Sequence, residues 1–222
     1  QREIYKKKTS SIKEIIEKFF ITIFKTECIS PCLGNTDFKK YTKKITYVPF
    51  CQSIDLYKKK WFLNDKINLI TVGKFIGRKN HLLLIKALSQ ISNKDKFRLT
   101  IIGECSTKEH SNNIKEIKKA SIMSNLNITI LKNVKHNNLK EHYKKHDLFV
   151  LPSVNEPASI SNLEAMAFGL PVITSDSNNT SCYTEDGENG YIVKSDDIGN
   201  LVEKLEHLIT NKSLLIKFGN KS

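Results

Sequence analysis

The 222-residue sequence has little of what breaks or staples a chain: nine glycines, five prolines, one tryptophan and five cysteines. So little Gly and Pro excludes a collagen-like or low-complexity chain. With 39% hydrophobic residues, the length suits one ordinary domain plus part of another. The cysteines (Cys28, Cys32, Cys51, Cys105, Cys182) are odd in number and scattered. Cys28 and Cys32 have no second pair, which argues against a zinc site and for reduced thiols in a cytoplasm. Long apolar runs are also missing. Phe19-Phe20-Ile21-Thr22-Ile23-Phe24 is closed by Lys25, far short of the roughly 20 residues that span a bilayer. No secretory leader opens the chain. It starts at Gln1 rather than Met, and it is read as a fragment of a longer protein. Triplets such as Asn127-Ile128-Thr129 match a glycosylation acceptor, but in a chain rich in Asn, Ser and Thr they are taken as chance.

Familiar catalytic signatures are missing too. There is no Gly-x-Ser-x-Gly elbow, no phosphate loop and no dinucleotide fingerprint. No nucleic-acid-binding motif appears, and no nucleic-acid partner is expected. His142 and His146 stand four apart without an intervening Glu or a third ligand, so they are read as surface histidines and no metal site is expected.

What is present is positive charge. The net charge is +13. Residues 1–60 hold 14 Lys/Arg against 6 Asp/Glu, a net of +8; the remainder holds 22 against 17, a net of +5. Such an excess suits phosphates or an anionic membrane face, and equally a Lys-rich solvated surface.

From residue 67 onward, strand and helix patterns alternate. Strands are expected at 67–72, 97–102, 128–131, 148–151, 172–174 and 191–193, with helices at 81–91, 113–123, 139–146, 160–168 and 198–208. Gly169 and Pro171 stop the fourth helix. This alternation predicts an α/β fold: a Rossmann-like parallel sheet with helices on both faces. Residues 1–66 break the pattern. A helix at 12–24, strands at 28–30 and 45–48 and a short helix at 36–41 read as the tail of a separate α/β unit, with Lys58-Lys59-Lys60 in the connector. The expected division is therefore 1–66 and 67–222.

Two segments carry candidate chemistry. Gly73-Lys74-Phe75-Ile76-Gly77-Arg78-Lys79-Asn80 follows a strand and opens a helix, a place where backbone amides and cations favour phosphate oxygens; an ordinary basic turn would look the same. Glu156 and Glu164 flank a helix start at the end of another strand, where open parallel sheets bind ligands. Pro157 keeps Glu156 extended and outside the helix. The amides of Ala158, Ser159 and Ile160 would then face a phosphate, with Glu156 beside a sugar hydroxyl. A helix-start Glu is also commonly structural.

These blocks resemble, in order, the C-terminal domain of retaining nucleotide-sugar glycosyltransferases of family 4, which have the two-domain GT-B fold. The match rests on residues 72–81, on Leu148-Phe149-Val150-Leu151-Pro152-Ser153 and on residues 156–172. Ile101-Ile102-Gly103-Glu104 and Asp186-Gly187-Glu188-Asn189-Gly190-Tyr191 fit more weakly. Residues 45–50 resemble the family's stretch before its interdomain connector. The resemblance implies that Glu156 meets the donor sugar, Glu164 meets the ribose, and Lys79 and Lys74 stabilise the leaving diphosphate. Gly73, Arg78, Gly103, Ala158, Ser159 and Ile160 would line the donor site. Lys74 stands where arginine is usual, and keeps the charge without the bidentate fork. Ala158-Ser159 replaces the usual Phe-Gly, so Ser159 either restricts backbone approach or adds a hydroxyl to the donor.

The implied reaction is transfer of a sugar from a nucleoside-diphosphate sugar with retention and no obligatory metal or cofactor, in surface-polysaccharide synthesis. The implied acceptor is a saccharide or a lipid-linked one, held by an N-terminal domain of which this chain has only the tail. The chain alone is expected to bind donor weakly and turn over little. Its expected place is the cytoplasm, with possible peripheral contact at the inner membrane face. The alternatives are a sugar-nucleotide epimerase or phosphorylase of the same fold, or a non-catalytic nucleotide-sugar-binding remnant.

Overall fold

Parallel strand pairs run through both parts of the chain in a computed structural model, which describes Phe19 and residues 28–30, 45–50 and 59–222. The chain divides into two compact units, 1–51 and 52–222. In the first, strands β1 (Cys28–Ser30) and β2 (Ile45–Tyr47) pair in parallel, with Cys28 opposite Ile45. A parallel pair needs a connection of a dozen or more residues, and 14 positions separate the two strands in the sequence. The helix expected at 36–41 and most of that expected at 12–24 lie outside the described residues.

The second unit holds a six-stranded parallel sheet. Its strands are β3 (Ile67–Val72), β4 (Phe97–Gly103), β5 (Ile128–Lys132), β6 (Leu148–Leu151), β7 (Val172–Ser175) and β8 (Gly190–Val193). They lie in the order β5-β4-β3-β6-β7-β8. The strand order reverses between β3 and β6, which pair through Leu69–Leu148 and Ile70–Phe149. That reversal opens a crevice at the carboxyl ends of these two strands, the position where such sheets bind ligands.

Helices cover both faces: α1 (His81–Gln90), α2 (Lys108–Ser124), α3 (His136–Lys145), α4 (Ile160–Ala167), α5 (Ile198–Thr210) and α6 (Lys212–Lys221). Alternate strand residues feed two cores, because successive side chains point to opposite faces. Leu69, Leu99, Ile101, Leu148 and Val150 pack with Leu84 and Leu88 of α1, Ile114 and Ile117 of α2, Leu201 and Leu205 of α5 and Phe218 of α6. Ile70, Val72, Ile102, Phe149 and Leu151 pack with Tyr143 of α3 and Ala165 of α4. All of β3 and β6 is buried, as the continuous apolar runs of a doubly covered sheet require.

Three elements differ from the sequence reading, among them α3, which begins at His136 rather than at 139. Helix α2 begins five residues earlier than expected, at Lys108, where the Thr107 hydroxyl accepts the His110 amide at 3.1 Å. Helix α6 was not expected; it starts one residue after α5, where the Asn211 side chain accepts the Leu214 amide at 3.0 Å. Among the described residues no helix is long and apolar enough to cross a membrane.

Candidate donor site

The crevice is built from two loops, one following β3 and one following β6. The first contains a 3-10 turn at Gly77–Lys79, and Asn80 then adopts a left-handed conformation before α1 begins. The second carries Glu156 into α4. Several contacts tie the loops together. The Val154 amide donates to the Arg78 carbonyl at 2.8 Å. Ser161 Oγ donates to the Val72 carbonyl at 2.8 Å. Ser159 and Ser161 hydroxyls are 3.1 Å apart; since the Ser161 proton goes to Val72, Ser159 is the donor of that pair. This relay fixes the start of α4 to the end of β3.

Glu156 is the centre of the charge arrangement. It is buried, at 3% exposure. Its Oε2 lies 2.6 Å from Lys79 Nζ and 3.8 Å from Arg78 Nε. Its backbone is pinned on both sides: the amide donates to the Ser177 carbonyl at 3.0 Å, and its carbonyl accepts from Asn179 at 3.0 Å. Lys79 is itself buried. A Cβ on Gly73 would come within 3.0 Å of Lys79 Cε, so the bare glycine makes room for the lysine stem. Burying an ion pair costs desolvation that its attraction repays only in good geometry.

Glu164 sits in α4 and is also buried. Its Oε2 accepts from Tyr143 OH at 2.8 Å, and its Oε1 lies 2.7 Å from His136 Nε2. Tyr143 is packed against Phe168 and Phe149, with ring centroids at 5.7 and 6.4 Å. Burial and the adjacent carboxylate push its phenol well above the usual range, so Tyr143 is a permanent donor.

The other sequence candidates fall into three groups. Lys74 turns to Glu104, 3.1 Å away, in an exposed pair; the Ser106 hydroxyl and Lys74 hold the Glu104 carboxyl below its usual range. Lys74 is thus in the same loop as Lys79 but not in the Glu156 cluster. Gly103 has a packing reason of its own: a Cβ there would lie 2.4 Å from the Gly73 carbonyl and 2.7 Å from the Phe75 ring. Ala158 is partly buried, Ile160 is exposed and Ser159 is buried with its hydroxyl turned to Ser161.

Sequence reading missed His136 and Tyr143 as partners of Glu164. The helix expected at 139–146 leaves His136 outside it, and a helix assignment says nothing about side chains that meet across elements. His146 requires a correction. It is buried, not at the surface. Its Nδ1 is 2.6 Å from the His142 carbonyl and its Nε2 is 2.9 Å from Thr100 Oγ1, so both ring nitrogens are occupied. Among the described residues no group of three His, Cys, Asp or Glu is placed to hold a metal ion. A separate pocket of about 80 Å³ is lined by Ile76, Gly77, Asn80, His81, Leu82, Asn113 and Ile117, and contains neither glutamate.

Comparison with known proteins places this geometry in context. The chain is 30% identical over 159 residues to the Staphylococcus aureus capsular polysaccharide biosynthesis glycosyltransferase CapM, covering 71% of this chain and 40% of that protein. It is 26% identical over 235 residues to the Escherichia coli UDP-Gal:alpha-D-GlcNAc-diphosphoundecaprenol alpha-1,3-galactosyltransferase, covering 96% of this chain and 59% of that enzyme. The chain thus spans about half the length of these relatives. Among solved structures, Anabaena HepE in complex with UDP and glucose superimposes with a TM-score of 0.80 at 16% identity, over 93% of this chain and 60% of the other; at that identity the likeness concerns the fold. The family model for glycosyl transferases group 1 matches residues 53–222, and the chain belongs to that family, with a GT-B-type Rossmann-like domain.

Proposed function

We propose that this chain carries the donor half of a retaining glycosyltransferase of family 4, which moves a sugar from a nucleoside-diphosphate sugar to a saccharide or lipid-linked acceptor in surface-polysaccharide synthesis. The observation that carries the reading is the buried Lys79–Glu156 pair at the sheet's switch point, beside the start of α4. Glu156 receives the donor sugar's hydroxyls. The diphosphate lies between Lys79 and the start of α4, where a helix N-terminus and its dipole favour anions. Glu164 receives the ribose. As the bond from the sugar to the diphosphate breaks, charge grows on the leaving phosphate, and fixed cations and amides stabilise it without reorganising. Lys74 reaches the same charge once Glu104 releases it. Ser159 spends its hydroxyl on Ser161 and acts on the donor through the position of the helix start.

The names of the two relatives support the substrate class: one acts in capsular polysaccharide synthesis and the other uses UDP-galactose and a diphosphoundecaprenol acceptor. An acceptor on a lipid diphosphate and the net charge of +13 both favour the cytoplasmic face of an anionic membrane as the place of work.

Isothermal calorimetry with UDP-glucose, UDP-galactose and GDP-mannose tests the reading. At least one binds the chain, and Glu156→Ala or Lys79→Ala abolishes that heat in a folded protein. Absence of any nucleotide-sugar affinity, or full affinity in both variants, overturns it.

A further inference from the structure

Glu164 is held more elaborately than a carboxylate that only has to be present. An ionised carboxylate accepts only, with about two lone-pair directions on each oxygen. Tyr143 OH takes one direction on Oε2, at 2.8 Å, and His136 Nε2 takes one on Oε1, at 2.7 Å. Because the carboxylate cannot donate, His136 must present its Nε2 proton. Each oxygen keeps one acceptor direction, and two donors on opposite oxygens prevent the group from rotating. The two arms differ in character. Tyr143 is 1% exposed and wedged between Phe149 and Phe168. The His136 side chain is 79% exposed and opens helix α3.

We propose that Tyr143 and His136 are positioning residues that turn Glu164 into a reader of the ribose cis-diol, making the site select ribonucleotides over 2′-deoxyribonucleotides. This rests on the reading of Glu164 as the ribose residue. Two adjacent hydroxyls, both donating, satisfy the two remaining acceptor directions together. A 2′-deoxy sugar leaves one of them unpaired in a buried setting. Sites built to bond a substrate hydroxyl reject the analogue lacking it, because the buried polar group is stranded. Hydrogen bonds to a charged group correspond to a ratio on the order of tenfold to a hundredfold.

The test is calorimetric titration of the 222-residue chain with UDP, 2′-deoxy-UDP, GDP and 2′-deoxy-GDP, repeated with Tyr143→Phe, His136→Ala, His136→Gln and Glu164→Gln, each checked for folding by circular dichroism. The unsubstituted chain binds the ribo form of its preferred base at least about tenfold tighter. Tyr143→Phe and His136→Ala bring the ratio to within about threefold by weakening the ribo form, while His136→Gln, which restores a donor, keeps it. The exposed position of His136 makes its variants safe for folding even if Tyr143→Phe is not. A full ratio in folded His136→Ala overturns the positioning role and leaves Glu164 as ribose residue standing, provided Glu164→Gln loses the ratio. A full ratio in Glu164→Gln, or no binding of any of the four nucleotides by the unsubstituted chain, overturns both.

Discussion

A lysine and a glutamate 77 positions apart form the most buried ion pair of the described unit. Nothing in their spacing requires them to meet; each was singled out by its own local context, and only the strand order brings the two loops together. Their coupling is measurable. Lys79→Met strands a carboxylate that is 3% exposed, and breaking a buried pair from one side costs about 3 to 5 kcal/mol. Glu156→Gln removes the stranded charge. In urea denaturation the double variant Lys79→Met/Glu156→Gln should therefore be less destabilised than the sum of the single changes, by more than about 1 kcal/mol. Simple additivity would mean that the pair does not act as a unit. Lys74 shows the limit of reading a residue by its type. Its charge fits a phosphate, yet its contact is Glu104, a partner that a turn after a different strand supplies.

At the scale of elements, the loop after β3 depends on what the end of β4 leaves empty. The Gly73 amide donates to the Ile102 carbonyl at 2.9 Å, and Gly103 has no side chain to push the turn away. Gly103→Ala places a Cβ 2.4 Å from the Gly73 carbonyl. Overpacking of this kind costs about 1–3 kcal/mol, and it should also weaken nucleotide-sugar binding because Lys79 rides on the displaced turn. Gly77→Ala is the control, since nothing lies within 4 Å of its Cβ; its stability should stay within about 0.5 kcal/mol of the parent. Thermal melts of both proteins decide the point, and equal losses would refute the packing account. The helix boundaries follow a similar logic. The first turn of α2, Lys108-Glu109-His110-Ser111-Asn112, has no apolar periodicity, so the hydrophobic pattern appears only from Ile114. The Thr107 cap sets the true start, and capping chemistry can begin a helix before its buried stripe does.

For the whole molecule, buried ionisable groups make stability depend on pH. Burial lowers His81 to about 4 and His146 to about 4, each from 6.5. Between those values the unfolded chain binds protons that the folded one does not, so stability present above about 6.5 is lost as pH falls towards 4. Each shift corresponds to roughly 3 kcal/mol at full development. Burial raises the Asp147 carboxyl, which acts in the opposite sense at the acid end. Lys59 is lowered to about 8 by burial, so stability should also rise from about pH 8 towards 10.5. Denaturation at pH 7, 5.5 and 4.5 should show the acid loss. His146→Gln, which can still donate to the His142 carbonyl and accept from Thr100, should flatten the slope by about half, because His81 is lowered just as far and remains. An unchanged slope would assign the acid loss elsewhere.

Taken alone, the sequence determined the alternation of β and α elements, the apolar strands buried on both faces, and the two loops, after β3 and β6, that carry the candidate residues. It could do so because hydrophobic period, turn residues and charge are local properties, written within a few residues of one another. Tertiary structure decided which of those residues meet. It set the reversal of strand order that joins the β3 and β6 loops, the burial of Lys79 against Glu156, the outward turn of Lys74, and the grip of Tyr143 and His136 on Glu164. These contacts link positions far apart in the chain, and their geometry follows from strand register and from which helix covers which face, neither of which any single stretch of sequence encodes.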